Sequence, residues 1–289
     1  MTSVHVLVNP TARKGKGRKA ARRVQRLLEG KGLAVTALEP PSADAVASTL
    51  TAAIETGMER LIIVGGDGII HRALPALANT TLPVGIVPSG TGNDFARALG
   101  IPTNTAKAVA RALMDGVGVD LLNDGDSWAA SVVTGGWSGD VNERAEKLAF
   151  PKGQQRYTVA TLLELGQMRP VGLRLDVDGV VHELDVTLLA VGNTSYFGGG
   201  MRVCPNASPA DGRLEVALLE PVSAVRLLPI IPKIFAGKHV DHPKVKVFQG
   251  SSVKIELEAA LWADGERFGS GDAELTVVPN AIHIAGADF

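Results

Sequence analysis

Two apolar runs, Leu61-Ile62-Ile63-Val64 and Val84-Gly85-Ile86-Val87, each end in a glycine-rich loop that opens a helix-like segment, and this repetition most narrows the folds open to the chain. The first loop is Gly65-Gly66-Asp67-Gly68, followed by a helical pattern over Ile69 to Ala78; the second is Pro88-Ser89-Gly90-Thr91-Gly92-Asn93-Asp94-Phe95. Glycines at such a turn let backbone amides approach a phosphate, and Asp67 is placed to hold a cation. The same residues also serve a plain strand-to-helix turn with no ligand. Two loops at the same ends of neighbouring parallel strands converge on one site.

The surrounding pattern extends this unit. Val4 to Val8 and Leu33 to Ala37 are further short apolar runs, as expected of strands covered on both faces. Between the strands, Ala20, Ala21, Val24, Leu27 and Leu28, then Val46, Leu50, Ala53 and Ile54, recur at helical spacing. A helix over Thr105 to Met114 leads to a strand over Val117 to Leu122. This is a βαβ series with right-handed crossovers and a parallel sheet, predicting an α/β domain over residues 1–123.

Beyond it strands dominate: Ser127 to Val133, Leu173 to Val177, Val180 to Val191, Arg213 to Leu219, Val253 to Glu258 and Ala273 to Val278. Asp178-Gly179 is a hairpin signal. The expected second domain, 124–289, is a mainly antiparallel, sandwich-like β domain whose last strand returns to the first domain. A helix over Gln154 to Met168 interrupts it, and Val222 to Phe235 forms a proline-broken, partly helical connector. Since ligand sites favour domain clefts, the loops of the first domain are expected to face the second.

Composition removes several classes of function. With 289 residues and 45% hydrophobic content the chain has enough for a real core, and a net charge of -1 gives no global case for binding nucleic acid or a strongly anionic membrane surface, so local charge must carry any such argument. The single cysteine, Cys204, excludes an internal disulfide and a multi-cysteine metal site, and reads as structural in a reducing compartment. The first residues lack a positive leader, and Leu227 to Phe235 is too short and proline-broken to span a bilayer, so the expected location is cytoplasmic.

The loop from Asn9 to Lys19 ends the first strand, opens a helix and carries Arg13, Lys14, Lys16, Arg18 and Lys19. It favours an anion, although not every cation can reach one ligand and the spacing is not that of a P-loop. His239 and His242 have a spacing a metal could use, yet no cysteine or third histidine is near, so loop structure is the preferred reading. Val225 to Phe235, flanked by Arg226 and Lys233, suits either a membrane interface or core packing, with packing slightly preferred.

Four stretches occur in a telling order: Gly65-Gly66-Asp67-Gly68, Gly90-Thr91-Gly92-Asn93-Asp94-Phe95-Ala96, Cys204 to Gly212, and Asp264-Gly265-Glu266. In this order and over nearly the whole chain the sequence resembles the diacylglycerol kinase and sphingosine kinase family of lipid kinases. Gly-Gly-Asp-Gly alone is shared with NAD kinases. The resemblance implies ATP and Mg2+ as cofactors, with the γ-phosphate passing to a hydroxyl of diacylglycerol or a related long-chain lipid in phospholipid metabolism. By the same resemblance Asn9, Thr11, Thr36, Gly65, Gly66, Asp67, Gly68, Thr91 and Asn93 contact nucleotide. Asp67, Asp94 and Asp120 form an acidic network around catalytic magnesium. Ser208, Asp211 and Arg213 form a second metal site, Ser208 and Arg213 through backbone carbonyls; Glu266 and Asp67 are the catalytic pair, Glu266 as proton acceptor and Asp67 in the magnesium network. A peripheral membrane contact and a homodimer are expected with it.

Such chemistry asks for phosphate positioning, charge neutralisation and a base at the acceptor hydroxyl. Each residue also has a plainer role open to it. Asp94 would cap a helix, Asp120 would end a strand in a turn, and Asp264-Gly265 would be a hairpin turn with Glu266 exposed. The chain departs from the family pattern at Ile69, where threonine is usual, and at Arg72, where glutamate is usual. A soluble-substrate kinase resembling NAD kinase and a non-catalytic nucleotide-binding homologue are therefore the alternative readings.

Overall fold

The computed structural model describes residues 3–8, 16–148, 150, 159–161 and 163–289. The chain divides into two compact units, residues 1–121 with 279–289, and residues 122–278.

The first unit is built on β1 (Ser3–Val8), β2 (Ala34–Leu38), β3 (Leu61–Gly65) and β4 (Pro83–Pro88), ordered β2-β1-β3-β4 and parallel throughout. Val4, Val6, Leu61, Ile62, Ile63, Val84 and Ile86 are all buried, because helices cover both faces. Helix α1 (Lys16–Glu29) turns Ala21, Val24 and Leu28 inward and leaves Arg18, Lys19, Arg22 and Arg23 in solvent. Helices α2 (Val46–Glu55), α3 (Asp67–Leu77), α4 (Asp94–Ala98) and α5 (Thr105–Arg111) follow. Asn104 caps α5 by accepting from the amides of Ala106 and Lys107, both at 3.1 Å. Helix α5 is shorter than the periodicity predicts, ending at Arg111 because residues 112–114 turn away toward β5 (Gly116–Asn123). From Pro279 onward the last strand belongs to this unit, where His283 and Ile284 pair in parallel with Pro83 and Val84 of β4.

The second unit carries β6 (Trp128–Ala129), β7 (Val132–Gly136), β8 (Val171–Val177), β9 (Val180–Val186), β10 (Leu188–Gly192), the short pair β11 (Tyr196–Phe197) and β12 (Met201–Arg202), β13 (Leu214–Leu219), β14 (Val245–Gly250), β15 (Ser252–Leu257), β16 (Leu261–Ala263), β17 (Glu266–Gly269) and the first part of β18 (Asp272–Ala285). One antiparallel sheet runs β14-β13-β10-β7-β16-β17. Strands β18, β15, β8 and β9 pair antiparallel beside one another in a second. Val133, Leu189, Val191 and Val216 of the first pack against Leu173, Leu175, Val253 and Ile255 of the second in one core. The α/β-then-antiparallel-β expectation is met.

Three strands differ from the sequence reading. Ser127 to Val133 is not continuous: β6 stops and β7 begins on either side of Ala130-Ser131, whose amides are given to the carboxylate of Asp264 instead of a neighbouring strand. Val180 to Val191 splits at Thr187, so that β9 pairs with β8 while β10 pairs with β7 and β13. Thr187 takes the break by donating to Leu219 O (2.7 Å) and accepting from Trp137 N (3.0 Å). The final run extends well past Val278, to Ala285. Asp178-Gly179 does form the hairpin turn, with both residues at positive φ, 48° and 89°. The amides of Ser252 and Ser251 hold the Asp178 carboxyl below its usual range. Of the helix expected over Gln154 to Met168, residues 154–158 and 162 lie outside the described residues; 159–161 and 163–164 are helical and Leu165–Gln167 is a 3-10 turn. Helices α6 (Trp137–Lys147), α7 (Ala224–Leu227) and α8 (Ile231–Phe235) complete the unit.

Cys204 is buried and its thiol is pushed well up by burial, which makes it inert packing. Its neighbour Glu215 is fully buried on β13 and accepts from Asn206 N at 2.7 Å. Burial is the largest influence and raises its pKa. A carboxyl whose folded-state pKa is raised stabilises the fold while protonated, and that stability is lost as pH rises through the folded value. Glu215→Gln is therefore expected to raise the melting temperature at pH 8 and to leave it unchanged at pH 4, measured by thermal scans across that range.

Candidate nucleotide site and apolar cavity

The two glycine loops meet backbone to backbone. Ser89 N donates to Gly65 O at 2.8 Å, extending the β3–β4 register. A Cβ on Gly90 would lie 2.5 Å from the Cα of Gly66, and one on Gly66 would lie 2.8 Å from the Cα of Gly90. Only hydrogen fits at either position. Gly90→Ala must therefore separate the loops, and its expected cost is about 1–3 kcal/mol of stability together with weaker nucleotide binding, read by urea unfolding and calorimetric titration.

Asn93 locks the second loop. It sits in the left-handed region (φ 51°) and its side-chain amide bonds both Gly90 N (2.9 Å) and Gly90 O (3.1 Å). Asp67 stands in the first turn of α3, where the helix dipole favours negative charge, and its Oδ1 accepts from Phe95 N at 3.1 Å. It thereby caps α4 from across the site. A Cβ on Gly92 would lie 2.9 Å from Asp67 Oδ2 and 3.2 Å from Asp94 Oδ2, so two carboxylates flank this glycine. Arg97 pairs with Asp94 and donates to Gly92 O at 3.2 Å. Asp94 stands in the first turn of α4 and is buried.

Asp120 is buried on β5 and accepts from Asn280 N at 2.8 Å, where β18 passes through positive φ. Among the described residues no group of three or more acidic, histidine or cysteine side chains is close enough to hold a metal. The structure thus joins Asp67 and Asp94 at Gly92 and gives Asp120 a partner in the last strand. Thr36 is exposed on β2 and Thr91 is exposed on the loop. Asn9 and Thr11 lie outside the described residues.

The two departures from the family pattern have physical explanations. Ile69 is buried, and its Cγ2 lies 2.1 Å from where a Cβ on Gly65 would be, so it packs onto the strand end. Arg72 pairs with Asp44 at 3.0 Å on the surface. Ile69→Thr would bury a hydroxyl in this packing and is expected to cost about 2 kcal/mol without raising turnover, checked by melting and steady-state kinetics together.

In the second unit Asp211 and Arg213 are exposed on the turn before β13, where Asp211 Oδ1 accepts from Arg213 N at 3.0 Å; Ser208 is half-buried nearby in sequence. Glu266 is half-buried at the start of β17 and faces Ala263 across the Asp264-Gly265 turn. Asp264 is the residue that sequence reasoning passed over as a turn former. Held at φ 51°, it accepts from Ala130 N and Ser131 N, each at 2.9 Å, and so ties β7 to the turn preceding Glu266. An aspartate before glycine signals the turn, but nothing local signals the partner more than a hundred positions away.

The outer face of the six-stranded sheet holds an apolar cavity, lined among others by Trp137, Leu219, Leu227, Ile230, Ile234 and His239. His239 is buried with Nε2 3.0 Å from Val203 O, and burial lowers its pKa, so the neutral ring faces an apolar wall. His242 instead accepts from Lys244 N at 3.1 Å.

Residues 3–121 match the family model described as the diacylglycerol kinase catalytic domain, and residues 131–286 match that of the YegS C-terminal NAD kinase beta sandwich-like domain. A diacylglycerol kinase of Mycobacterium tuberculosis strain H37Rv is 35% identical over 97% of this chain and 94% of its own. A probable lipid kinase, YegS-like, of Pseudomonas putida is 29% identical over 80% of this chain and 78% of its own. A crystal structure of a diacylglycerol kinase from Bacillus anthracis superposes with a TM-score of 0.77 at 22% identity, covering 98% of this chain and 96% of that one, which shows the shared fold. The family models and the named relatives place the chain among lipid kinases of the diacylglycerol kinase and YegS type. The chain belongs to the diacylglycerol kinase family, which includes the YegS-like lipid kinases.

Proposed function

We propose that this protein transfers the γ-phosphate of ATP to the hydroxyl of diacylglycerol or a related long-chain lipid. The observation that carries this reading is the apolar cavity of the second unit, whose walls are aliphatic and aromatic with few polar groups. Such a lining suits an acyl chain and offers little to a soluble, charged acceptor. The curated relatives named as diacylglycerol kinases and lipid kinases support it.

The first unit supplies the donor side. The Gly65–Gly68 and Gly90–Gly92 loops, packed backbone to backbone at Gly66 and Gly90, are proposed to offer their amides to phosphate oxygens. Asp67 and Asp94 are hard oxygen donors flanking one glycine, a set that fits Mg2+, which is held by one or two carboxylates plus substrate phosphates. When bound, magnesium neutralises charge developing on the transferred phosphoryl group. Asp67 positions the second loop through Phe95 N, and Arg97 restrains Asp94 and Gly92. Glu266, set at the strand start by the Asp264 turn, is the proposed acceptor of the hydroxyl proton. Asn9, Thr11, Thr36, Thr91 and Asn93 are proposed nucleotide contacts, Asp120 an outer member of the acidic set, and Ser208, Asp211 and Arg213 a second metal position.

Incubation of the protein with γ-labelled ATP, Mg2+ and diacylglycerol in mixed micelles is expected to yield labelled lipid. The family model of the second domain, described as NAD kinase beta sandwich-like, keeps one other acceptor in view. Label in NADP and none in lipid would overturn the proposal in its favour.

A further inference from the structure

Helices α7 and α8, with the turn between them, form one wall of the apolar cavity: Leu227, Ile230, Ile231 and Ile234 line it. The other face of this wall is apolar as well. Val225 is 77% exposed, Leu228 48% and Phe235 43%, and Pro229 and Pro232 are exposed beside them. A helical stretch that is apolar on both faces is unusual in water, where one face is ordinarily polar. The polar groups this segment does carry share one sign. Arg226, Lys233 and Lys238 are exposed, and no acidic residue occurs between Glu220 and Asp241.

Apolar side chains pointing outward among cations, with no anion in the segment, match the chemistry of an anionic bilayer surface: acyl chains for Val225, Leu228 and Phe235, and lipid phosphates for the cations. We propose that the α7–α8 segment is the edge by which this protein docks onto an anionic bilayer, placing one wall of the cavity at the lipid surface. The sequence reading favoured core packing for Val225 to Phe235; the structure divides the segment, with Leu227 and Ile230 packed and Val225, Leu228 and Phe235 turned out. The purpose of the docking rests on the lipid-acceptor reading above. The docking itself does not, since it needs neither nucleotide nor turnover.

The test is flotation of the full chain, without ATP, on vesicles of phosphatidylcholine alone and of phosphatidylcholine with phosphatidylglycerol. Wild type is expected to bind the anionic vesicles, and Val225→Asp, Leu228→Asp and Phe235→Asp combined to bind them at least about tenfold more weakly while melting like wild type. Arg226→Glu, Lys233→Glu and Lys238→Glu combined are expected to lose the preference for anionic over neutral vesicles. An environment-sensitive fluorophore on Val225→Cys is expected to shift to the blue on adding vesicles, while one on Glu183→Cys of exposed β9 does not. Wild-type vesicle binding by the triple aspartate variant, or no shift at Val225→Cys, overturns the proposal. So does self-association of wild type that the aspartate variant loses, if vesicles are not bound, because the surface would then join two copies of the chain. Lipid phosphorylation in micelles without vesicle docking would sink the docking and spare the function; docking without phosphorylation of any lipid would do the reverse.

Discussion

Asp67→Asn is expected to melt close to wild type and to lose about two to four orders of magnitude in kcat. The amide oxygen of asparagine can still accept from Phe95 N, the bond through which Asp67 holds the start of α4. What it cannot supply is the charge beside Gly92, where Asp67 and Asp94 together form the hard-donor set proposed for magnesium. Asp67→Ala removes both and is expected to lose stability as well as turnover. Comparing melting curves with steady-state rates for the three proteins separates the two roles. Near wild-type turnover of Asp67→Asn would show that the carboxylate is only a helix cap.

Asp264→Ala is expected to be the most destabilising single change in the second unit. Its carboxylate accepts from Ala130 N and Ser131 N, and both residues are buried, so removal leaves two amides without water or partner. Hydrogen bonds to a charged group contribute about 1.5–3 kcal/mol each, which puts the loss at about 3–6 kcal/mol for the two. Asp264 also holds positive φ, which alanine tolerates poorly. Asp264→Asn, which tolerates that conformation and keeps one acceptor, is expected to fall between. Trp128, Trp137 and Trp262, the three tryptophans of the chain, all lie in the second unit, so their fluorescence in urea reports its unfolding directly. An unchanged midpoint for Asp264→Ala would contradict the tie between β7 and the turn before Glu266.

What the sequence revealed and what it hid follow from the range of the interactions concerned. The parallel sheet was legible because Leu61 to Val64 and Val84 to Val87 are short, continuous apolar runs, which is how a strand buried on both faces reads. The two glycine loops were legible because close backbone approach admits no other residue. Thr187 was not: nothing in Val180 to Val191 marks the point where the chain leaves one sheet for another, since that break is made by bonds to Leu219 and Trp137. The same holds for Asp264 and Ala130-Ser131. Ile69 stands out in the sequence only as a departure from the usual threonine; its packing onto Gly65 at the strand end has no local mark. The cavity, assembled from β13, α6, α7, α8 and the turn at His239, has no contiguous signature at all.

The central claim is that a long-chain lipid, held by this cavity, receives the phosphate. It is tested most directly by kcat/KM for a series of diacylglycerols with one headgroup and increasing acyl length, each dispersed in the same micelles at equal surface concentration. Burying each added methylene contributes about 0.8 kcal/mol at most, so kcat/KM should rise several-fold with every pair of methylenes until the cavity is filled and then level off. A profile that is flat from the shortest acceptor onward, with soluble acceptors phosphorylated as well as lipids, would contradict it.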